Sequence, residues 1–340
     1  MNMLITGING FVGRGLAAAL QRNRDNIRGS VRSAAGNREI AEVGDHIFVS
    51  GEINTRTDWS KALNGIDVVV HLAARVHVMR QSITDPLAEF RRVNTEGTLN
   101  LARQAVTAGV KRFVFISSIK VNGEGTEIRG QRAEGRGQES KLKEVFSEKD
   151  IPCPQDAYAV SKWEAEQGLL KIAEETGLEV VIIRPPLVYG LGVKANFRSL
   201  MKWVSRGVPL PLGAVYNKRS FVALDNLVSF IIHCIDHPNA ANEVFLISDG
   251  KDVSTTELLQ KIAHAFGKRS FLLPVPVGLM IFVANMLGKR DVADRLLGSL
   301  QVDSSKAWDL LGWKPVASMD EALISHVKAL RVRSKISSQF

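Results

Sequence analysis

The chain has 340 residues, of which 45% are apolar and 23% charged, proportions that indicate a folded globular protein and exclude a disordered one. The net charge is +9, but the basic residues are scattered among acids and only three tyrosines are present, so nucleic acid is not a predicted partner. The two cysteines, Cys153 and Cys234, match no disulfide or zinc spacing and favour a reducing cytoplasm.

The first predicted element is the apolar stretch MNMLI, followed by the turn TGINGFVG at residues 6–13 and a segment of helical periodicity. A strand, a glycine turn and a helix in this order are typical of a nucleotide-binding βαβ unit. The helix N-terminus would offer N–H groups to a pyrophosphate. The spacing is G-x-x-G-x-x-G, with Ile8 in place of the second glycine of the commoner pattern. On its own, the turn is also compatible with a helix start that binds nothing.

Further along the chain, apolar runs at 66–74, 112–118, 178–186 and 243–250 alternate with helical stretches. The runs are nearly continuous, as expected for strands covered on both faces. This alternation predicts a doubly wound parallel sheet. The last third is mostly helical from a capping box at 254–257 onward, and it predicts a smaller α-rich domain laid over the open edge of the sheet.

Two segments depart from the alternation. Residues 122–156 are polar and too long for a routine connection, which predicts a functional lid or a disordered loop. Residues 271–288 are apolar and approach the length of a membrane span, but Pro274 and Pro276 interrupt their first third. A helix packed on a core or over a ligand is favoured there, and peripheral attachment to a membrane surface is the less favoured alternative.

Catalytic chemistry is indicated by Tyr158 and Lys162, which are spaced i, i+4 and would share one face of a helix. A neighbouring ammonium favours the phenolate, so the pair predicts a tyrosine with a lowered pKa that works as an acid/base. Ser117 and Ser118 end the preceding apolar run, at the sheet edge where ligands bind in such folds. Alternation turns them to opposite faces, so one of them is expected at the site.

A metal site is not predicted. His233 and His237 have helical metal-ligand spacing, but the second stands directly before Pro238, and a histidine that complements the helix C-terminus is favoured.

Taken together, the segments TGINGFVG, HLAA, VNTEGTLN, FVFISSIKVNG, YAVSK and RPPLVYG resemble the extended short-chain dehydrogenase/reductase family, to about residue 315. The resemblance implies a Rossmann-like doubly wound sheet (1–185 and 220–249) and a smaller α-rich substrate-binding domain (186–219 and 250–330). It also implies a homodimer formed through the helices near 95–108 and 158–176.

The resemblance further implies roles for single residues. Tyr158 is the expected acid/base, Ser118 orients a substrate oxygen, and Lys162 also holds the nicotinamide ribose. Arg219 is expected to grip a substrate diphosphate, with Lys120 and Asn196 also binding substrate. The expected cofactor-binding residues, besides Tyr158 and Lys162, are Gly7, Asn9, Gly10, Phe11, Val12, Gly13, Arg32, Glu52, Ile53, Leu72, Ala73, Ala74, Asn94 and Pro185, with the segment to Leu187 also lining the nicotinamide.

The cofactor site departs from the NAD-specific members of the family at IRGSVRS, residues 27–33. Those members have an acid there for the adenosine ribose, whereas this chain has none, and Arg32 could pair with a 2′-phosphate. NADP(H) or NAD(H) is therefore the predicted cofactor, with Arg32 as a plain surface charge the alternative. Glu52 stands where the family usually has an aspartate on the adenine.

The implied activity is hydride transfer at C4 of a nucleoside-diphosphate sugar. Dehydration is disfavoured, because Ser118-Ile119-Lys120 replaces the Thr-Asp-Glu trio of the 4,6-dehydratases. The segments SSIKVNGEGT and RPPLVYGLGVKANF favour reduction of a UDP-4-keto-6-deoxy-N-acetylhexosamine to UDP-N-acetylquinovosamine for surface polysaccharide. A UDP-hexose 4-epimerase (UDP-glucose or UDP-N-acetylglucosamine) is the alternative. A non-catalytic NADP(H)-binding regulator is a further one.

Overall fold

The computed structural model describes residues 1–22, 26–33, 46–76, 85–125, 145–193 and 195–337. Most of the predicted lid segment, residues 126–144, lies outside these ranges. The strands are β1 Asn2–Thr6, β2 Asn26–Val31, β3 Ile47–Val49, β4 Val68–His71, β5 Arg112–Ile116, β6 Glu179–Arg184, β7 Leu187–Tyr189, β8 Phe221–Ala223 and β9 Val244–Leu246.

The helices are α1 Phe11–Arg22, α2 Ser60–Leu63, α3 Pro86–Phe90, α4 Gly97–Thr107, α5 Ala157–Thr176, α6 Ala195–Ser205, α7 Leu224–Asp236, α8 Thr255–Ala265, α9 Val277–Met286, α10 Arg290–Leu297, α11 Ser305–Leu311 and α12 Met319–Ser337. A π-helical turn, Arg91–Glu96, joins α3 to α4, and 3₁₀ turns lie at Ile119–Val121 and Pro238–Ala240.

The described strands form a parallel sheet in the order β3-β2-β1-β4-β5-β6-β9, beside a small parallel pair of β7 and β8. The strands are added outward in opposite directions on either side of the β1–β4 pair, so the strand order reverses there. Ligands of open α/β sheets bind at the carboxyl ends of the strands at such a point. The predicted fold class is therefore confirmed.

Both faces of the sheet are covered by helices, which explains the continuous apolar runs of its strands. On one face Leu16 of α1, Leu227 of α7 and Leu311 of α11 join the strand core. On the other face Leu101 of α4 and Leu169 of α5 do the same. Helices α4 and α5, the predicted dimer helices, pack against each other. The homodimer itself stays a prediction.

A second apolar core is formed by β7, β8 and the helices of the last third, among them α6, α8 and α12. Helix α9 packs on this core through Ile281, with Val277, Met280 and Ala284 partly buried beside it. Its other side is also apolar but is exposed to solvent. The sequence analysis predicted a packed helix and did not predict this exposed apolar side. In the described ranges, no helix is both long and apolar enough to cross a membrane.

Candidate active site

The turn after β1 is built around two glycines that cannot be replaced without strain. Gly7 has a φ of 66°, in the left-handed region that favours glycine. A Cβ on Gly13 would lie 2.4 Å from the Gly7 carbonyl oxygen, so Gly13 lets α1 start close to the turn. Ile8, which replaces the usual second glycine, is fully buried and packs over Gly29 of β2. Gly29 in the neighbouring strand therefore makes room for the Ile8 side chain that replaces the usual glycine.

A cavity of about 380 Å³ opens above this turn, at the carboxyl ends of β1, β2 and β4. Its lining includes nine of the predicted cofactor residues: Gly7, Asn9, Gly10, Arg32, Glu52, Ile53, Leu72, Ala73 and Ala74. The predicted Phe11, Val12 and Gly13 belong to the first turn of α1 and are not in this lining. Ser30, Val31, Ser33, Ser50, Gly51 and Val93 also line it and were missed by the sequence analysis. All of them except Val93 lie at or just after the ends of β2 and β3. This position could have identified them from the sequence.

The residues of this cavity fit the adenosine and pyrophosphate part of a dinucleotide, whereas the predicted Asn94, Tyr158, Lys162 and Pro185 are not in its lining. Ser30 lines it, and its hydroxyl is buried without a hydrogen-bond partner in the described ranges, so a ligand hydroxyl or phosphate that reached this oxygen would satisfy it. Gly7, Asn9 and Gly10 would hold the pyrophosphate, and Ser30 and Arg32 the adenosine ribose. Arg32 is exposed, and the described residues give its guanidinium no hydrogen bond or ion pair.

Glu52, predicted to contact the adenine, has its carboxylate paired with two arginines. It forms ion pairs with Arg75 and, at 3.1 Å, with Arg92. Partial burial works against its charge, but these arginines outweigh burial and lower the pKa of Glu52. Glu89 pairs with the same two arginines, so two acids and two bases balance one another at this side of the cavity.

Asn94 is buried within the π-helical turn, and its side-chain amide is fully engaged. Its Oδ1 accepts from the backbone N–H of Arg75 at 2.8 Å, and its Nδ2 donates to the Arg75 carbonyl and to Ser161 Oγ, each at 3.0 Å. Asn94 thus joins the segment after β4 to α5, and its predicted contact with the cofactor stays a prediction.

The imidazole of His71, at the end of β4, is a buried link that the sequence analysis missed. Its Nδ1 bonds Thr6 Oγ1 at 2.7 Å and its Nε2 bonds Thr98 Oγ1 at 2.9 Å. Burial, with the nearby charge of Lys162, lowers its pKa to about 3, so the ring is neutral and joins β1, β4 and α4 beneath the cavity.

Tyr158 and Lys162 lie one turn apart at the start of α5, which is capped by Asp156 accepting from the Ala159 N–H at 2.7 Å. The Tyr158 ring packs edge-on against Phe90, 6.0 Å between centroids. The Lys162 Nζ donates to the Ile116 carbonyl at 2.8 Å and lies over the Phe115 ring.

The predicted lowering of the Tyr158 pKa is wrong for the protein without a ligand. Burial, assisted by the charge of Asp156, raises the pKa of Tyr158 above its ordinary value. Burial also lowers the pKa of Lys162 to about 7, so at neutral pH the lysine is only partly charged and cannot offset the burial of its neighbour.

Ser118 is half-buried at the start of the 3₁₀ turn after β5, where its Oγ accepts from the Lys120 N–H at 3.3 Å. Ser117 is buried, and its hydroxyl has no partner in the described ranges. The Ile119 N–H donates to the carbonyl of buried Pro185 at 3.1 Å, so the serine turn and the predicted nicotinamide segment are joined.

The predicted substrate residues are spread over several elements. Lys120 pairs with Asp156 and with Glu124, and these bonds raise its pKa although burial opposes them. Arg219 is partly buried and donates from Nη1 to the Gly298 carbonyl at 2.9 Å. Asn196 lies in the first turn of α6, and its side chain falls outside the described part of the structure.

Histidines elsewhere in the described ranges do not form a metal centre. His233 Nε2 bonds the Leu311 carbonyl at 2.8 Å, and His237 caps the following 3₁₀ turn. Among the described residues no cluster of three possible metal ligands occurs.

The glycine turn, the cavity where the strand order reverses and the helical Tyr–Lys pair agree with the family that the chain matches. Residues 3–248 match the model of the NAD dependent epimerase/dehydratase family. The chain belongs to this family. It is an NAD-dependent enzyme with a nicotinamide dinucleotide as cofactor, and the predicted family is confirmed.

Two relatives and one solved structure illustrate the likeness within the epimerase/dehydratase family. The chain is 47% identical, over 94% of its length and 92% of the relative's, to UDP-glucose 4-epimerase of Vibrio cholerae. It is 27% identical, over 82% of its length and 77% of the relative's, to N-acetyl-α-D-glucosaminyl-diphospho-ditrans,octacis-undecaprenol 4-epimerase of Escherichia coli O157:H7. Its fold matches that of the Thermotoga maritima UDP-glucose 4-epimerase with UDP-glucose, at a TM-score of 0.75, 23% identity and coverage of 98% and 99%.

Proposed function

We propose that the protein oxidises and reduces C4 of a UDP-sugar, with Tyr158 as the acid/base. The observation on which this rests is the Tyr158–Lys162 pair on α5, beside the Ser118 turn at the carboxyl end of β5. The bound nicotinamide would supply or accept the hydride. Tyr158 Oη would move the proton of the C4 oxygen and Ser118 Oγ would hold that oxygen. Lys162 would favour the phenolate only in its protonated form, which burial disfavours in the protein without a ligand.

Epimerisation at C4 of a UDP-hexose is the first candidate reaction. It is supported by the 47% identity with the Vibrio cholerae UDP-glucose 4-epimerase. In this reaction Tyr158 takes the proton from the C4 hydroxyl and returns it after the ketone has turned its other face. No cofactor is consumed overall.

Reduction of a UDP-4-keto-6-deoxy-N-acetylhexosamine to UDP-N-acetylquinovosamine is the second candidate, which sequence reasoning placed first. The end of β2 favours it, because Val31 and Arg32 stand where an acid would hold the ribose of NAD. A site suited to a 2′-phosphate favours NADPH, which a reductase consumes. In this reaction Tyr158 donates its proton to the new hydroxyl, and the raised pKa keeps that proton in place at neutral pH.

One assay separates the two reactions. Purified protein is given UDP-glucose without added cofactor, and separately the 4-keto sugar with NADPH or NADH, and products are identified by chromatography while nicotinamide absorbance is followed. Interconversion of UDP-glucose and UDP-galactose without net change in absorbance indicates an epimerase. Oxidation of one cofactor per ketone indicates a reductase. Failure of both reactions, in a protein that binds cofactor, would contradict the proposal.

A further inference from the structure

An exposed apolar stripe follows one side of α9. Leu279, Phe282, Val283, Met286 and Leu287 are spaced i, i+3, i+4, i+7 and i+8, so their side chains form one continuous strip. Each is between 45% and 74% exposed. We call this strip the α9 face. Contiguous exposed apolar surface of this kind marks an interaction site in a folded protein.

The α9 face is not needed to hold the helix in place. The opposite side of α9 already packs on the second core through buried Ile281 and partly buried Met280 and Ala284. The large side chains of the face are therefore left with much of their apolar surface in water. Their contribution has to come from a surface outside this chain.

The charges that flank α9 in the sequence have a positive excess, although Asp291 and Asp294 follow the basic pair at its end. Residues 266–290 contain four basic residues and no acid. Lys268 and Arg269 precede the apolar segment, Lys289 and Arg290 follow it, and all four are exposed. The first carboxylate after the helix with a described side chain, Asp294, lies 3.5 Å from Arg290. A partner that covers this face therefore meets the cations Lys289 and Arg290 at the C-terminal end of the strip.

We propose that the α9 face binds the surface of an anionic lipid bilayer. Its large apolar side chains would enter the boundary between headgroups and acyl chains, and Lys289 and Arg290 would contact anionic headgroups. A helix of ten residues is about 15 Å long and lies in the plane of the surface without spanning it. A second copy of this chain fits less well, because its own residues 266–294 carry four basic residues against two acids, Asp291 and Asp294.

The α9 face is connected to the candidate substrate site. Helix α9 packs against α10, which Gly298 follows as the C-cap residue, and the Gly298 carbonyl accepts from Arg219 at 2.9 Å. Bilayer binding through α9 would hold this part of the substrate-binding region near the membrane. The inference does not depend on which C4 reaction the enzyme performs.

Sedimentation with lipid vesicles tests the proposal. Wild-type protein is mixed with extruded vesicles of phosphatidylcholine alone or with phosphatidylglycerol, at low and high salt. We expect at least about tenfold stronger binding to the anionic vesicles, weakened by salt. Phe282→Glu/Met286→Glu should abolish binding, and Lys289→Gln/Arg290→Gln should weaken it by about tenfold on anionic vesicles.

Two controls keep the test specific. Val316→Glu changes a residue that is 63% exposed outside the α9 face and should bind vesicles like the wild type. Circular dichroism and activity on a soluble UDP-sugar should be unchanged in all variants. Equal vesicle binding by wild type and Phe282→Glu/Met286→Glu, or no binding by either, would overturn the proposal. A wild type that self-associates in analytical ultracentrifugation, while that variant is a monomer, would instead make the face an interface between copies.

Discussion

At the scale of single residues, burial drives both groups of the Tyr158–Lys162 pair toward their neutral forms. The phenol keeps its proton because its pKa is raised, and the ammonium loses its proton more easily because its pKa falls to about 7. Sugar oxidation needs the opposite charges, a phenolate beside an ammonium. The pair is therefore set in the ligand-free protein to donate a proton, and oxidation needs additional positive charge at the phenol.

Replacing the tyrosine tests its role directly. Tyr158→Phe removes the proton donor and keeps the ring contact with Phe90. We expect turnover to fall by about 10²–10⁴, because a positioned acid/base contributes that much. The measurement is steady-state turnover on the substrate found in the assay above, with cofactor affinity from quenching of intrinsic fluorescence as the control. A variant with near-native turnover would remove Tyr158 from the mechanism.

Arg32 gives a second prediction at this scale. If its guanidinium meets a 2′-phosphate, Arg32→Ala should weaken NADPH binding by about 1–3 kcal/mol, the scale of a hydrogen bond to a charged group. NADH binding should barely change. Isothermal titration calorimetry with both cofactors measures the difference, and Arg206→Ala, at an exposed arginine just after α6, is a matched control. Equal losses for both cofactors would show that Arg32 does not select between them.

At the scale of elements, one buried ion pair fixes the catalytic helix to the sheet. Arg184 at the end of β6 donates from Nε to Glu166 of α5 at 3.0 and 3.1 Å, and from Nη1 to Asn122 Oδ1 at 3.0 Å. Glu166 is completely buried and Arg184 nearly so. Because Asn122 ends the turn that begins at Ser118, this pair positions α5, β6 and the serine turn relative to one another.

Removing one partner of that ion pair should destabilise the protein more than removing both partners. Glu166→Leu leaves the Arg184 charge buried without a partner, and we expect a loss of about 3–5 kcal/mol in the free energy of unfolding. Glu166→Leu/Arg184→Met removes both charges and should lose clearly less. Urea denaturation followed by circular dichroism gives both values. A double variant as unstable as the single one would mean that packing, not the unpaired charge, dominates.

At the scale of the whole molecule, the sheet and its covered faces could be predicted from the sequence, because continuous apolar runs alternating with helices leave few other arrangements. The glycine turn and the helical Tyr–Lys pair were also predictable, since both depend on local spacing. The pKa directions were not, because burial of Tyr158 and Lys162 comes from elements far apart in the chain. The arginine partners of Glu52 could not be predicted either, because they come from other elements of the chain. The exposure of one side of α9 could not be predicted, because an apolar stripe has the same sequence pattern whether it is buried or exposed.

The end of β2 affects how such an enzyme can evolve. Val31 is 1% exposed and belongs to the core, whereas the next residue, Arg32, is exposed at the rim of the cavity. A mutation at position 32 therefore changes no packing, and surface changes of that kind are nearly neutral for stability. Selection for one nucleotide or the other can act there without first repairing the fold. If Arg32 selects the nucleotide, as proposed above, the cofactor preference is consequently easier to alter than the glycine turn beside it.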